Sequence, residues 1–250
     1  MSTPFPRHVT NSRLTWLAVF SIAMGLLEAI VVVYLRELYF PGGFRFPLRI
    51  IPEQMLRTEI LRELATMVML VALAAIAART FVLRFAVFLF AFGVWDLFYY
   101  FFLKVLLDWP QSFFTWDVLF LIPLTWLAPI LAPLVCALTM IGLAVLLIAL
   151  HRRHNRVRIG WLAWLFLLAG AGAILSTFIG DYAGIVIKGG FVTGLAGLAG
   201  NRDFQTAVAS FVPTYYNWWL FSAGEALILL SGVVVYFRTT NSKFQASNPK

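Results

Sequence analysis

Long apolar segments dominate this chain and decide what it can fold into. Residues 14–35, 81–103, 161–180 and 215–237 each form such a segment, with few charges inside it. A helix of about 20 apolar residues crosses the roughly 30 Å hydrocarbon core of a bilayer. Charged residues make up only 12% of the chain, against about 25% in soluble domains. Because lipid does not tolerate open sheet edges, the chain is predicted to be an all-α, polytopic transmembrane helix bundle.

Breaks between the apolar segments predict about six spanning helices. The predicted helices cover residues 14–36, 59–78, 81–107, 129–150, 159–187 and 213–237, and a polar surface segment covers residues 44–58. The second and third helices separate at Arg79-Thr80, because a single helix over 59–107 would be about 73 Å long at 1.5 Å per residue. The charge-free stretch 118–150 is also too long for one helix and contains three prolines. An interfacial or re-entrant segment is therefore predicted near residues 113–128.

Basic residues favour a topology in which both termini are cytoplasmic. Lys and Arg near the ends of spans mark the cytoplasmic side of a membrane. With the N-terminus inside, the inside segments contain no acid and carry 11 of the 19 basic residues, namely Arg7, Arg13, Arg79, Arg84, Arg152, Arg153, Arg156, Arg158, Arg238, Lys243 and Lys250. The sequence thus predicts one integral membrane domain, residues 1–238, and a polar, disordered cytoplasmic tail, residues 239–250. The short loops favour the cell membrane, specifically a bacterial inner membrane, as the location.

Small residues repeat along the first predicted helix. Ser21, Gly25 and Ala29 are spaced four residues apart. Small side chains at this spacing let two helix backbones approach closely. The pattern predicts a close helix contact on this face, with Glu28 beside it.

The sequence lacks the residues that several classes of function require. The net charge of +8 is not accompanied by a basic surface interleaved with aromatic residues, so nucleic acid is not an expected partner. Cys136 is the single cysteine, and the three histidines all lie on the predicted cytoplasmic side. We therefore expect no metal site and no cofactor within the membrane. No nucleophile, phosphate-loop or metallopeptidase motif occurs, so an enzyme is less favoured than a non-enzyme.

Carboxylates inside the apolar helices are the candidate functional groups. Glu28, Asp96 and Glu225 lie within predicted spans, and Asp181 lies near the outer end of the fifth. A carboxylate at the bilayer centre costs roughly 2.5–3.5 kcal/mol on insertion scales, so it is normally retained for a reason. Under the predicted topology these acids lie at or outside the midplane. The structural alternatives are a hydrogen bond that fixes helix packing for Glu28 and Asp96, and a wet helix end for Asp181.

Helical spacing places polar neighbours around these acids. Tyr99 and Tyr100 follow Asp96 at i+3 and i+4, where a phenol can hydrogen-bond the carboxylate. Arg62 lies three residues after Glu59, so a salt-bridged helix start is the structural alternative for the second helix. The complete set of candidate ion- or substrate-binding residues is Glu28, Asp96, Glu225, Tyr99, Tyr100, Glu63, Asp181, Arg36, Arg62 and Lys104.

Three functions are compatible with this pattern. A small proton- or cation-coupled transporter would use the intramembrane acids as its coupling site. A non-catalytic subunit or assembly factor would pair the same acids with basic residues and bind other membrane proteins or a second copy. An enzyme acting on a lipid-linked substrate at the outer leaflet would use acids for proton transfer, with Arg36, Arg62 and Lys104 holding a phosphate. Membrane lipids are expected partners in every case.

Overall fold

Six long apolar helices dominate the computed structural model, which describes residues 9–49, 51–122, 124–154, 157–191 and 201–246. Each of the six is long and apolar enough to cross a membrane. The prediction of an all-α polytopic bundle is confirmed, and the chain is a multi-pass integral membrane protein. The elements in chain order are α1 (Asn11–Tyr39), α2 (Glu53–Ala77), α3 (Phe81–Leu107), β1 (Trp116–Phe120), β2 (Trp126–Pro129), α4 (Leu131–His154), α5 (Trp161–Lys188), α6 (Arg202–Ser210) and α7 (Trp218–Ala246).

Hydroxyl caps begin two of the spanning helices. The side chain of Thr10 accepts a hydrogen bond from the backbone N–H of Arg13, and Thr80 accepts one from that of Leu83. Each cap satisfies one of the backbone donors that a helix start leaves without a partner. Thr80 thereby begins α3 after the Arg79 break, where neither glycine nor proline interrupts the chain.

The six spanning helices pack as two groups. In the first group α3 lies between α1 and α4 and also packs on α2, while in the second α5 pairs with α7. Glycines permit the close contacts: a Cβ on Gly25 would lie 2.8 Å from the Trp95 carbonyl oxygen, and one on Gly170 would lie 2.6 Å from that of Gly224. The close contact predicted along Ser21, Gly25 and Ala29 is therefore confirmed, with α3 as the partner. Between the two groups, α4 and α7 run in the same direction.

Arginine side chains tie helix ends together at one end of the bundle. Arg13 Nη1 donates to the Ala77 carbonyl oxygen at 3.2 Å, and Arg152 donates to the Val9 carbonyl oxygen at 2.6 and 2.9 Å. The start of α1, the end of α2 and the end of α4 therefore share this end, which we call the arginine end. The opposite end, which carries the β-strands, is the hairpin end. Which of them faces the cytoplasm stays a prediction.

The segment predicted as interfacial or re-entrant contains a β-hairpin. Strands β1 and β2 are antiparallel, with Trp116 opposite Pro129 and Asp117 opposite Ala128. Asp117, Leu127 and Ala128 are buried, and β2 packs on α4 and α5. Short apolar runs do not distinguish a strand from part of a helix, so the sequence alone did not indicate this form. Pro123, which was expected to break the chain here, lies outside the described residues.

The largest differences from the predicted boundaries lie in α2 and α7. Helix α2 begins at Glu53 rather than at residue 59, and Arg57 donates to the Glu53 carboxylate one turn earlier. A short helix, α6, precedes α7, which begins at Trp218 rather than at residue 213. Helix α7 continues to Ala246, so the first part of the tail predicted to be disordered is helical. A polar segment is able to extend a helix that has already been nucleated by its apolar part.

Candidate functional site

Arg62 joins two acids from different helices. Its Nη1 donates to Glu28 Oε2, while its Nε and Nη2 donate to Glu59 Oε1 at 2.8 and 2.6 Å. The side chains are 14–23% exposed, so this three-residue group lies largely out of solvent. The Glu59–Arg62 pair was expected from its spacing on α2. The pair with Glu28 was not, because the two residues are 34 positions apart in the chain.

A second ion pair is buried between α1, α3 and the hairpin. Asp117 is 2% exposed and accepts hydrogen bonds from Arg36 Nη2 at 3.2 Å and from the Tyr100 hydroxyl at 3.3 Å. The Arg36 guanidinium also stacks over the rings of Trp109 and Phe44, 3.7 and 4.5 Å from their centroids. Burial raises the pKa of Asp117 to about 6, and Arg36 and the hydrogen bonds partly offset that rise. Asp117 was not among the predicted site residues, although it is the acid that these side chains surround.

Glu63 accepts hydrogen bonds from the backbone at the end of β1. It forms no ion pair with a basic side chain in the described part of the chain. Both of its carboxylate oxygens accept from the backbone N–H of Leu121, at 3.0 and 3.2 Å. Leu121 follows β1 directly. The acid therefore satisfies a backbone donor at the end of β1, which is a structural contact that the sequence did not indicate.

Asp96 lies on α3, the helix that packs against α1, α2 and α4. Within the described part of the chain, its carboxyl group makes no hydrogen bond or ion pair. It interacts electrostatically with Asp117 and Glu28. The expectation that a phenol binds Asp96 is not met, because the Tyr100 hydroxyl contacts Asp117 instead. Tyr99 packs edge-on against the Tyr100 ring, with the centroids 4.8 Å apart.

Glu225 occupies the junction between the two helix groups. It is 7% exposed, and its Oε2 accepts from the Thr139 hydroxyl of α4 at 2.7 Å. Among the described residues, its Oε1 has no hydrogen-bond partner of normal geometry. The thiol of Cys136 lies beside the carboxylate and interacts electrostatically with both Glu225 and Asp96. No described arginine, lysine or histidine forms an ion pair with Glu225.

Two predicted site residues lie apart from the others. Asp181 is partly exposed on α5, and it shares no hydrogen bond or ion pair with another candidate in the described chain. Lys104 is half-exposed and pairs with Asp108 at 2.7 Å. This pairing lowers the pKa of Asp108, since both the hydrogen bond and the charge of Lys104 favour the carboxylate. Lys104 therefore belongs to the end of α3 and not to the buried polar groups.

The remaining acids form a polar layer in the half of the bundle nearer the hairpin end. Glu28, Asp96, Cys136 and Glu225 follow one another across the bundle as electrostatic neighbours, and we call this set the acid row. Six carboxyl groups belong to the layer, but among the described residues only the guanidinium groups of Arg36 and Arg62 form ion pairs with them. The members of the layer are Glu28, Glu59, Glu63, Asp96, Asp117 and Glu225.

Neither a metal-binding cluster among the described residues nor a similarity to known proteins assigns a role to these residues. Among the described residues, no three His, Cys, Asp or Glu side chains come together in a way that could hold a metal ion. Comparisons with protein-family models, with curated proteins and with solved structures found no match to this chain.

Proposed function

We propose that this protein is a small membrane transporter whose cycle is coupled to a proton or a cation at the acid row. The observation that carries the proposal is the excess of carboxyl over guanidinium groups in the polar layer. Uncompensated charge is expensive in a low-dielectric interior. The surplus carboxyl groups must therefore be neutralised by bound protons or by bound cations, which is the property that coupling requires.

Asp96 and Glu225 are the members of the acid row best suited to bind and release a proton or a cation. Neither forms an ion pair within the described chain, whereas Glu28 is held by Arg62. A carboxyl group without a fixed positive partner gains more from a mobile proton or cation than one that is already paired. We therefore assign Asp96 and Glu225 as the coupling acids, and Glu28 as the acid that fixes α1 against α2.

The division of the bundle supports movement across this row. Asp96 belongs to the group of α1 to α4, and Glu225 belongs to the pair of α5 and α7. Alternating access in many transporters is a rocking of one helix group against another around a central site. Because the row crosses the boundary between the groups, such a rocking would change the surroundings of both acids at once.

Flux measurements on purified protein in liposomes test this proposal. A pH gradient or a cation gradient is imposed, and internal pH is followed with an entrapped dye. We expect wild-type protein to dissipate a gradient, and Asp96→Asn or Glu225→Gln to abolish the flux. The matched control is Glu53→Gln, since Glu53 lies at the exposed start of α2 and pairs with Arg57. Wild-type protein that moves neither protons nor cations under any gradient would exclude the function.

A non-catalytic subunit is the second candidate. The pairing of Glu28 with Arg62 and of Asp117 with Arg36 favours it, because these contacts explain four charged residues by structure alone. Affinity purification from native membranes in mild detergent tests it. A stoichiometric protein partner, together with loss of this chain in cells lacking that partner, would favour the subunit over the transporter.

The basic side chains expected to bind phosphate in a lipid-modifying enzyme are occupied by carboxylates. Arg36, Arg62 and Lys104 were expected to hold a phosphate, and each of them contacts a carboxylate instead. A phosphate would have to displace those acids. We therefore do not propose an enzyme.

A further inference from the structure

Two apolar grooves lie on either side of one ridge of α7. The ridge consists of Val233 and Phe237, which are four residues apart and line both grooves. The first groove lies between α4 and α7 and has a volume of about 550 Å³. The second lies between the start of α5 and α7 and has a volume of about 420 Å³. Both are open along the side of the bundle, so hydrocarbon chains of the bilayer can enter them.

The first groove has the length of one bilayer leaflet. Along α7 it reaches from Ile228 to Phe237, a rise of about 14 Å at 1.5 Å per residue. One leaflet contributes half of a hydrocarbon core that is about 30 Å thick. Gly142 of α4 keeps the groove open, because a Cβ placed on it would meet no atom within 4 Å. Since α7 runs toward the arginine end, the groove matches an acyl chain of the leaflet at that end.

Arg238 lies at the arginine end of the second groove. It lines this groove together with Trp161, which is 72% exposed at the start of α5. Exposed tryptophans are typical of the membrane–water interface. A Cβ on Gly160 would collide with Arg238 Nη1, so the guanidinium group lies against the segment that joins α4 to α5. The same segment carries Arg158, which is also exposed.

The arginine end of the molecule is poor in negative charge. Residues 118–180 and 226–250, which include all of α4 and the groove-lining part of α7, contain no Asp or Glu. Residues 1–27 and 64–95 contain none either. Within the described chain Arg238 forms no ion pair. The second groove therefore presents a positive charge that no acidic side chain of the described chain compensates.

We propose that the paired grooves bind one anionic diacyl phospholipid, with an acyl chain on each side of the Val233–Phe237 ridge and the phosphate at Arg238. Two chains joined at one glycerol suit two grooves that share one ridge. A guanidinium group can donate two parallel hydrogen bonds to a phosphate. Arg158 adds positive potential near the headgroup, which favours a net negative lipid over a zwitterionic one. The site goes beyond the proposed transport and does not depend on it.

Native mass spectrometry of the full chain in mild detergent tests the site. Phosphatidylglycerol and phosphatidylcholine with identical acyl chains are the probes, and each is titrated into delipidated protein. We expect the first phosphatidylglycerol to bind about fivefold more tightly than phosphatidylcholine, as for one basic side chain at a lipid headgroup. Equal affinities for the two lipids would overturn the proposal.

Two arginine variants distinguish a local contact from the general positive field of this end. Arg238→Gln should remove most of the preference for phosphatidylglycerol. Arg153→Gln is the matched control and should keep the preference, because Arg153 is exposed at the end of α4 but lines neither groove. An unchanged preference in Arg238→Gln, or an equal loss in Arg153→Gln, would show that Arg238 does not hold the phosphate.

Two leucine variants test the position of the acyl chains. Gly142→Leu fills the first groove and should weaken the binding of both lipids. Gly172→Leu is the matched control, because a Cβ there also meets no atom within 4 Å and the residue lines neither groove. Circular dichroism and gel filtration check that all variants fold. A folded Gly142→Leu protein with wild-type affinity would show that the first groove holds no acyl chain.

A lipid with one chain tests whether both grooves are used. Lysophosphatidylglycerol has the same headgroup as phosphatidylglycerol and a single acyl chain. We expect it to bind wild-type protein more weakly, because it leaves one groove without its chain. Equal affinity of the one-chain and two-chain lipids would contradict the arrangement around the Val233–Phe237 ridge.

Discussion

Buried acids near the hairpin and at the α4–α7 junction have different partners. Around α1, α2 and the hairpin, Glu28 and Asp117 each face a guanidinium group. At the junction of α4 and α7, Glu225 faces the Thr139 hydroxyl and the Cys136 thiol and forms no ion pair within the described residues. Removing one partner of a buried ion pair leaves an uncompensated charge, whereas neutralising a carboxylate that lacks a charged partner does not. The first region should therefore respond to substitution mainly in stability, and the second mainly in function.

Loss of Arg36 should give the largest effect on stability. Arg36→Met leaves Asp117 buried without its charge partner and removes the stacking on Trp109 and Phe44. We expect the free energy of unfolding to fall by about 3–5 kcal/mol. Denaturant unfolding in mild detergent, followed by tryptophan fluorescence, measures it. The double variant Arg36→Met with Asp117→Asn should recover part of the loss, and no recovery would mean that Arg36 acts through packing alone.

Substitution of Gly170 should give the next largest effect, and it contrasts the tight α5–α7 pair with the open α4–α7 junction. Gly170→Ala places a Cβ 2.6 Å from the Gly224 carbonyl oxygen, so the helices must separate. We expect a loss of about 1–3 kcal/mol, as for other overpacked contacts. Gly142→Ala is the matched control, because its Cβ has open space, and it should not reduce the unfolding free energy. Equal effects of the two substitutions would contradict the difference in packing.

Substitution of Arg62 should destabilise less than that of Arg36. Arg62 is 23% exposed at its side chain, and solvent screens partly exposed pairs. We expect Arg62→Gln to lower the unfolding free energy by about 1–2 kcal/mol, the lower part of the range for buried groups left without a partner, because water still reaches this pair. The same unfolding titration measures it. A loss as large as that of Arg36→Met would show that water is excluded from the Arg62–Glu28 pair as fully as from the Arg36–Asp117 pair.

Neutralisation of Glu225 should change stability least while removing function. Glu225→Gln keeps the shape of the side chain and lets the amide accept from Thr139. We expect the unfolding free energy to stay within about 1 kcal/mol of the wild-type value, with loss of flux in the liposome assay. A strongly destabilised variant would show that the carboxyl group is a structural element, and the contrast between the two regions would fail.

Local features of the chain were predictable from sequence. The six spans follow from the length of apolar runs, and the break at Arg79-Thr80 follows from the limit that the bilayer places on helix length. The candidate acids were also predictable, because a carboxylate within an apolar run carries a high free-energy cost of insertion and is easily recognised in the sequence. The hairpin was not, since its strands are too short for their periodicity to distinguish them from a helical segment.

The hydrogen-bond partners of the polar side chains were not predictable from sequence. Tyr100 lies one turn from Asp96 and yet contacts Asp117, because the hairpin brings a second acid to the same face of α3. Glu63 was a candidate site residue on the second helix, and its carboxylate accepts from the Leu121 N–H. In both cases the partner comes from a segment distant in the chain, and helical spacing carries no information about that segment.

The sequence by itself determined that this is a multi-pass helical membrane protein with acids in its apolar helices, because length, hydropathy and charge are properties of each segment alone. The tertiary structure alone decided which acids are compensated. Glu28 and Asp117 acquire guanidinium partners through the packing of α1 on α2 and of the hairpin on α3. Glu225 packs where α4 and α7 meet, and no basic side chain in the described part of the chain forms an ion pair with it there. Electrostatic compensation depends on distances between segments, and only the packed bundle sets those distances.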